Sequence, residues 1–214
     1  MQVSLVSITE SLIKEWEMTP EQLIVYIARV SNPSNQHNTE SSERLINYLI
    51  KHKHWSPFEM IDMTIEIVTS RAIAQQILRH RSFSFQEFSQ RYATATEIEP
   101  VLLRKQAEKN RQSSTEEITN SEINTIVENH IKLSEELYST LIQQGIAREC
   151  ARMVLPLTTQ TTMYMKGSIR SWIHYLQLRC EEDTQLEHRE IADSIKEIFK
   201  QHFPNVAEAI GWTL

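Results

Sequence analysis

Ile61-Asp62-Met63-Thr64-Ile65-Glu66-Ile67 alternates an apolar with a polar side chain at every step. In a β-strand successive side chains point to opposite faces, so this run predicts a strand with one buried face. Immediately after it, Ser70 to Arg79 carries Ile73, Ala74, Ile77 and Leu78 on one side and Gln76 with Arg79 on the other. That spacing predicts a helix that buries the first set and presents Gln76 and Arg79 to the loop that follows. Upstream, Val3 to Thr9 alternates and reads as another strand. Thr19-Pro20-Glu21 opens a helix, with threonine as cap and proline in the first position, and Leu23, Ile27 and Val30 supply its apolar stripe. Residues 31–35 read as a loop, Ser41 to His52 as a second helix, and Ser56-Pro57-Phe58-Glu59 as a capping box.

Downstream, Lys105 to Ser121 is polar and reads as an exposed loop. Ile123 to Gln144 is a long helix ended by Gly145, and Ala147 to Val154 a short one ended near Pro156. Thr158 to Met165 reads as a strand; Ile169 to Cys180 and Leu186 to His202 read as helices. No internal repeat is present. Long helices with a few strands in no regular βαβ order predict an α+β fold: a single domain over residues 1–214, with a small, mostly antiparallel sheet surrounded by long helices.

Composition narrows the chemistry. The chain has 214 residues, 40% hydrophobic and 23% charged, with a net charge of −6. That balance suits a globular core and argues against a general nucleic-acid coat. Only three glycines occur, which excludes a glycine-rich phosphate loop. Cys150 and Cys180 form no CxxC pair, so no cysteine metal cluster is expected and a reduced, cytoplasmic setting is the simpler reading. Cys180 falls on the apolar face of its helix and reads as a structural thiol rather than a nucleophile. The N-terminus shows no signal pattern, and no apolar run approaches the ~20 residues that span a bilayer.

Arg79-His80-Arg81-Ser82-Phe83-Ser84-Phe85-Gln86-Glu87-Phe88-Ser89-Gln90-Arg91 carries the functional signal. Guanidinium forks bind phosphate bidentately, hydroxyls and amides add short donors, and a single carboxylate accepts from a sugar hydroxyl. The segment reads as a pocket for a phosphorylated, sugar-bearing ligand, against the plainer reading of a solvated basic face. Its three phenylalanines favour the pocket.

This segment resembles the signature of the flavin-dependent thymidylate synthases, Arg-His-Arg-x-x-Ser-x-Asn-x-x-Ser-x-Arg. The match falls on Arg79, His80, Arg81, Ser84, Ser89 and Arg91, with Gln86 in place of the usual asparagine. The stretches His54 to Glu59, Ala151 to Pro156, Ser168 to His174 and Leu178-Arg179 resemble further family blocks in the same order.

The resemblance implies dUMP contacts at Gln76, Ile77, Leu78, Arg79, Glu87, Phe88, Ser89, Gln90, Arg91, Arg152 and Arg179. Arg91 and Arg152 suit the phosphate, Glu87 the ribose 3′-hydroxyl, and Arg179 the uracil edge as the catalytic residue. It implies FAD contacts at Ser31, Ser56, Glu59, Arg79, His80, Arg81, Glu87, Ser168, Ile169, Arg170 and His174. Without the family, His174 reads as a partly buried histidine with a local partner. Lys51 to His54 reads as a basic helix end, and His54 as a proton relay or folate contact. NADPH and 5,10-methylenetetrahydrofolate are the implied co-substrates, no metal is expected, and the implied assembly is a homotetramer with shared active sites. The rival readings are a flavoprotein oxidoreductase that transfers no carbon and a nucleotide-binding module without catalysis.

Overall fold

The computed structural model describes residues 1–13, 15–94 and 97–212. Its frame is a four-stranded antiparallel sheet. β2 (Asp62–Ser70) lies between β1 (Gln2–Ile8) and β6 (Gln160–Ser168), and β3 (Ser84–Glu87) adds to the far side of β6. The expected α+β class with an antiparallel sheet is borne out.

The alternation read from residues 61–67 sets which face is buried. Met63, Ile65 and Ile67 are fully buried and stand opposite Gly167, Met165 and Met163 of β6. Each such side chain contributes about 1.5–3 kcal/mol through removal from water. Asp62, Thr64 and Glu66, with Tyr164 and Lys166 across the ladder, face outward.

Three helices cover the inner face: α3 (Arg71–Ile77), α6 (Ile169–Arg179) and α7 (Leu186–His202). Ser70 and Ser168 end strands β2 and β6 and at the same time cap α3 and α6, each hydroxyl accepting an N–H three residues on. Trp172 of α6 is fully buried and its indole N–H donates to the Met63 carbonyl at 3.0 Å. Helices α1 (Pro20–Ala28) and α2 (Ser42–Lys51) pack beside this core. Thr19 caps α1 in a full capping box with Gln22, as its sequence suggests.

Several expectations need correction. Residues 105–121 are not a structureless loop: β4 (Arg104–Gln106) and β5 (Ser114–Glu117) form an antiparallel hairpin, too short and polar to show a period-2 signal. The Arg79–Arg91 segment is not all loop, since β3 lies within it. Ser56–Glu59 is a 3-10 turn without a side-chain cap, because the Glu59 carboxylate turns instead to Arg170 and Ser168. Val30 lies past the end of α1 and is 70% exposed; Ile24 and Val25 take the buried face. Residues 147–154 divide into α5 (Arg148–Ala151) and a 3-10 turn.

A last helix, α8 (Pro204–Ala209), has no side-chain cap from its own flanking residues; its cap comes from across the chain. Buried Glu21 accepts from the Val206 N–H and from the Asn205 side chain, both at 2.7 Å. Helix α4 (Ser121–Gln143), near the length expected from the sequence, buries only Tyr138 among its residues and leaves Ile126, Leu133 and Leu137 exposed.

Candidate functional site

A cleft of about 700 Å³ opens where β6 passes into α6. Its lining includes Glu59, Ser82, Ser84, Ser168, Arg170 and His174. The Arg170 guanidinium bonds Glu59 at 2.5 Å, and the Ser168 hydroxyl donates to the same carboxylate at 2.9 Å. Glu59 is held below the usual carboxylate range, chiefly by the Arg170 hydrogen bond. Four of the residues implied for FAD therefore share one polar pocket. His174 is exposed there rather than partly buried with a local partner.

The others stand elsewhere in this chain. Ser31 lines a separate groove with Arg29, Arg44 and Tyr48. Ser56 is exposed on its 3-10 turn, and Ile169 is buried in the core as packing. His54 is exposed beside Tyr48 and His52, after a left-handed turn at Lys53. Arg79 and Arg81 are exposed, flanking His80.

His80 itself points inward. Its Nε2 accepts from the Arg179 Nε–H at 2.9 Å, joining the start of the Arg79–Arg91 segment to the end of α6. Burial, then the charge of Arg179, lowers its pKa to about 4. It is therefore neutral near pH 7, with its proton on Nδ1, and its lone pair holds Arg179 by Nε. The two terminal guanidinium nitrogens of Arg179 are left for a ligand.

Glu87 to Arg91 follow at the other end of β3. Both contacts of Glu87 fall on Oε1: the Thr161 hydroxyl donates at 2.9 Å and Arg71 lies at 3.3 Å. Arg71 also donates to the Phe88 carbonyl at 2.9 Å. Gln90 is buried, and Ser89 is exposed. Arg91 pairs with Glu149 at 3.3 Å, which brings it to the short helix that ends at Arg152. Arg152 keeps a buried Nε without a partner. On α3, Gln76 bonds Gln185, while Ile77 is buried and Leu78 half-buried, so these two support the helix rather than meet solvent.

Phe83 is core, not ligand surface. Its ring centroid lies 4.8 Å from that of Trp172, and a Cβ on Gly167 would fall 2.4 Å from its Cδ1. Gly167 is needed because any side chain there would collide with this ring. Neither cysteine lines the cleft. Cys150 is exposed, and burial followed by the hydrogen bond to Asp193 pushes the half-buried Cys180 thiol up to about 12.

Sequence reasoning missed Arg71 and Thr161 behind Glu87, the Lys166–Asp62 pair at 2.8 Å on the cleft wall, and buried His188 behind Gln76. Only His188 left a signal. It interrupts the apolar stripe Ile191, Ala192, Ile195 and Phe199 of α7 at helical spacing.

Fold and site together define an α+β protein with a polar cleft that carries cationic and hydroxyl side chains and with no glycine-rich loop. The family model of the thymidylate synthase complementing proteins matches residues 11–205. The chain is 52% identical over 217 residues to the flavin-dependent thymidylate synthase of Synechocystis sp., covering 99% of this chain and 100% of the relative. It is 49% identical over 216 residues to the probable flavin-dependent thymidylate synthase of Paramecium bursaria Chlorella virus 1, again 99% and 100%. Among solved structures, the UMP/dUMP methylase PolB from Streptomyces cacaoi, bound with 5-Br dUMP, superposes with a TM-score of 0.79 at 26% identity, covering 99% of this chain and 95% of that one. The chain belongs to the thymidylate synthase complementing protein family, the flavin-dependent thymidylate synthases.

Proposed function

We propose that this chain converts dUMP to dTMP at a site where Arg179 activates the pyrimidine. The activity is that of its family, an FAD-dependent methyl transfer. The residue roles rest on one observation above all: the Arg179 Nε–H bond to a neutral His80, which occupies Nε and leaves the two terminal nitrogens of the fork for a ligand.

A fixed cation at the uracil edge stabilises negative charge on N3 and O4 as N3 ionises. Charge in the ring raises the nucleophilicity of C5, and no enzyme thiol is needed. Arg91 and Arg152, whose buried Nε has no partner, suit the phosphate, and Glu87, held by Thr161 and Arg71, suits the ribose 3′-hydroxyl.

The cleft chemistry fits FAD. It combines the Arg170 guanidinium, the exposed His174 and serine hydroxyls, with Arg79 and Arg81 as cations nearby in the chain. Bound and reduced, FAD supplies the hydride, with NADPH as the electron source and 5,10-methylenetetrahydrofolate as the carbon donor. Within the chain, Glu59 holds Arg170 in place and Ser168 caps α6 at the cleft floor.

The distribution of implied residues supports a homotetramer with shared sites. Ser31 opens onto one groove and Ser168, Arg170 and His174 onto another, so partner subunits would complete each pocket. The exposed stripe Ile126, Leu133 and Leu137 on α4 supports association as well. The free thiols of Cys150 and Cys180 support a reducing, cytoplasmic setting. Among the described residues no helix is long and apolar enough to cross a membrane.

The test is release of tritium from C5-labelled dUMP. It should require reduced FAD and methylenetetrahydrofolate together. Flavin reduction without tritium release would favour the oxidoreductase reading instead.

A further inference from the structure

Behind Gln76 runs a chain of hydrogen bonds whose donors all point one way, from Tyr175 to Glu187. Tyr175 Oη lies 3.0 Å from His188 Nε2, and His188 Nδ1 lies 3.3 Å from Gln76 Oε1. The Gln76 amide N–H donates to Gln185 Oε1 at 2.6 Å, and the Gln185 amide donates to Glu187 at 3.0 Å. Arg104, from the β4–β5 hairpin, closes the chain with 2.8 Å contacts to both Glu187 oxygens.

Chemistry at the two ends fixes the direction. Tyr175 and His188 are fully buried, and Tyr175 has no other side-chain partner among the described residues. Its hydroxyl must therefore donate to His188 Nε2, since an unmade buried O–H is costly. A neutral imidazole that accepts at Nε2 carries its proton on Nδ1, which can bond only an oxygen of Gln76. Burial, then the charge of Arg179, lowers the His188 pKa to about 3, which agrees with the neutral ring. At the far end, Glu187 sits below the usual carboxylate range. Burial pushes it up, but hydrogen bonds from its own backbone N–H, Gln185 and Arg104 outweigh that. A carboxylate only accepts, so Gln185 must donate to it and must turn its oxygen to Gln76.

The geometry points to His188 and Gln185 as positioning residues that lock the Gln76 amide with its NH₂ outward, making Gln76 a selector for a pyrimidine bearing a carbonyl rather than an amino group. The inner face of the amide is taken by His188, and one N–H by Gln185. The second N–H is the group left for a ligand. It pairs with the C4 carbonyl of uracil and opposes the C4 amino group of cytosine, where donor would meet donor. An unlocked glutamine would rotate by half a turn and accept from cytosine, losing the discrimination. This rests on the reading that Gln76 faces the pyrimidine.

The experiment measures dUMP and dCMP binding to the FAD-loaded enzyme by calorimetry and reports the ratio of the two dissociation constants. Gln76→Glu, at a half-exposed position, replaces the donor with an acceptor and should cut the dUMP preference about tenfold or more. At His188 two amides separate the contacts. His188→Asn keeps a donor near Nδ1 and should hold the parent ratio within about threefold, whereas His188→Gln places its amide near Nε2 and should lose about tenfold. Gln185→Leu, on the exposed side, should lower the ratio even where the buried variants fail to fold. A parent-like ratio in Gln76→Glu, or in both His188→Gln and Gln185→Leu, overturns the assignment. Tritium release from dUMP by the parent, run alongside, separates this outcome from failure of the thymidylate synthase reading itself.

Discussion

Arg179→Lys tests whether the fork, and not merely the positive charge, does the chemistry. In the structure one nitrogen of Arg179 is already committed, since Nε donates to His80 Nε2 at 2.9 Å. The two terminal nitrogens remain for the uracil edge. Lysine has a single ammonium at the end of a flexible stem, so it can serve His80 or the ligand but cannot hold one while presenting a planar pair to the other. The loss is that of a preorganised donor aimed at developing charge, which typically costs about a hundred- to a thousandfold in turnover, or about 2.7–4 kcal/mol. Because the interaction is stronger with the N3-ionised ring than with ground-state dUMP, the fall belongs to kcat more than to KM. FAD content and NADPH-driven flavin reduction should stay near the parent, as Arg179 lies outside the cleft formed by Glu59, Ser168, Arg170 and His174. The assay is methyl transfer from methylenetetrahydrofolate to dUMP, with flavin reduction on the same preparation. Near-normal turnover, or an equal loss in both half-reactions, refutes Arg179 as the activating residue.

Three further outcomes follow from the structure. Cys150→Ser combined with Cys180→Ser should leave turnover within about tenfold, because the Cys180 thiol, raised to about 12, stays protonated; a folded, flavin-loaded but inactive double variant would show that a thiol attacks. Gly167→Ala would set a methyl 2.4 Å from Phe83 Cδ1 and 2.6 Å from Cε1, so it should destabilise by about 1–3 kcal/mol in urea unfolding. Adding Phe83→Leu should recover part of that, and parent-like stability of Gly167→Ala alone would contradict the packing. Acid should destabilise early. His188 and His80 are lowered to about 3 and about 4 from 6.5, first by burial, so below about pH 6.5 the unfolded chain binds protons that the folded chain refuses. Stability should then fall with pH by up to about 1.4 kcal/mol per unit for His188, and less for half-exposed His80. Urea midpoints from pH 7.5 to 5 measure the slope, which should shrink in His188→Asn; equal slopes would count against a neutral buried His188.

Short-range order determined what was legible in the chain. Side-chain alternation at 61–67 specifies which face of β2 is buried, since a strand's period of two leaves only two choices. The Thr19-Pro20 start of α1 and the spacing of α3, α6 and α7 are likewise local, because caps and apolar stripes act within a few residues. The residue types of Arg79–Arg91 carry their anion-binding chemistry wherever they sit. What stayed hidden depends on partners far along the chain. Helix α8 forms because Glu21 caps it from 185 residues away, and the β4–β5 hairpin is anchored through Arg104 to Glu187. Phe83 reads as one of three pocket phenylalanines, and only the bare Cα of Gly167 makes room for it in the core. The roles of His80 and His188 turn on which nitrogen meets Arg179 or Tyr175, contacts that span 99 and 13 residues. A sequence specifies the donors and acceptors present; which lone pair is left facing the ligand depends on burial and on the neighbours that folding brings together.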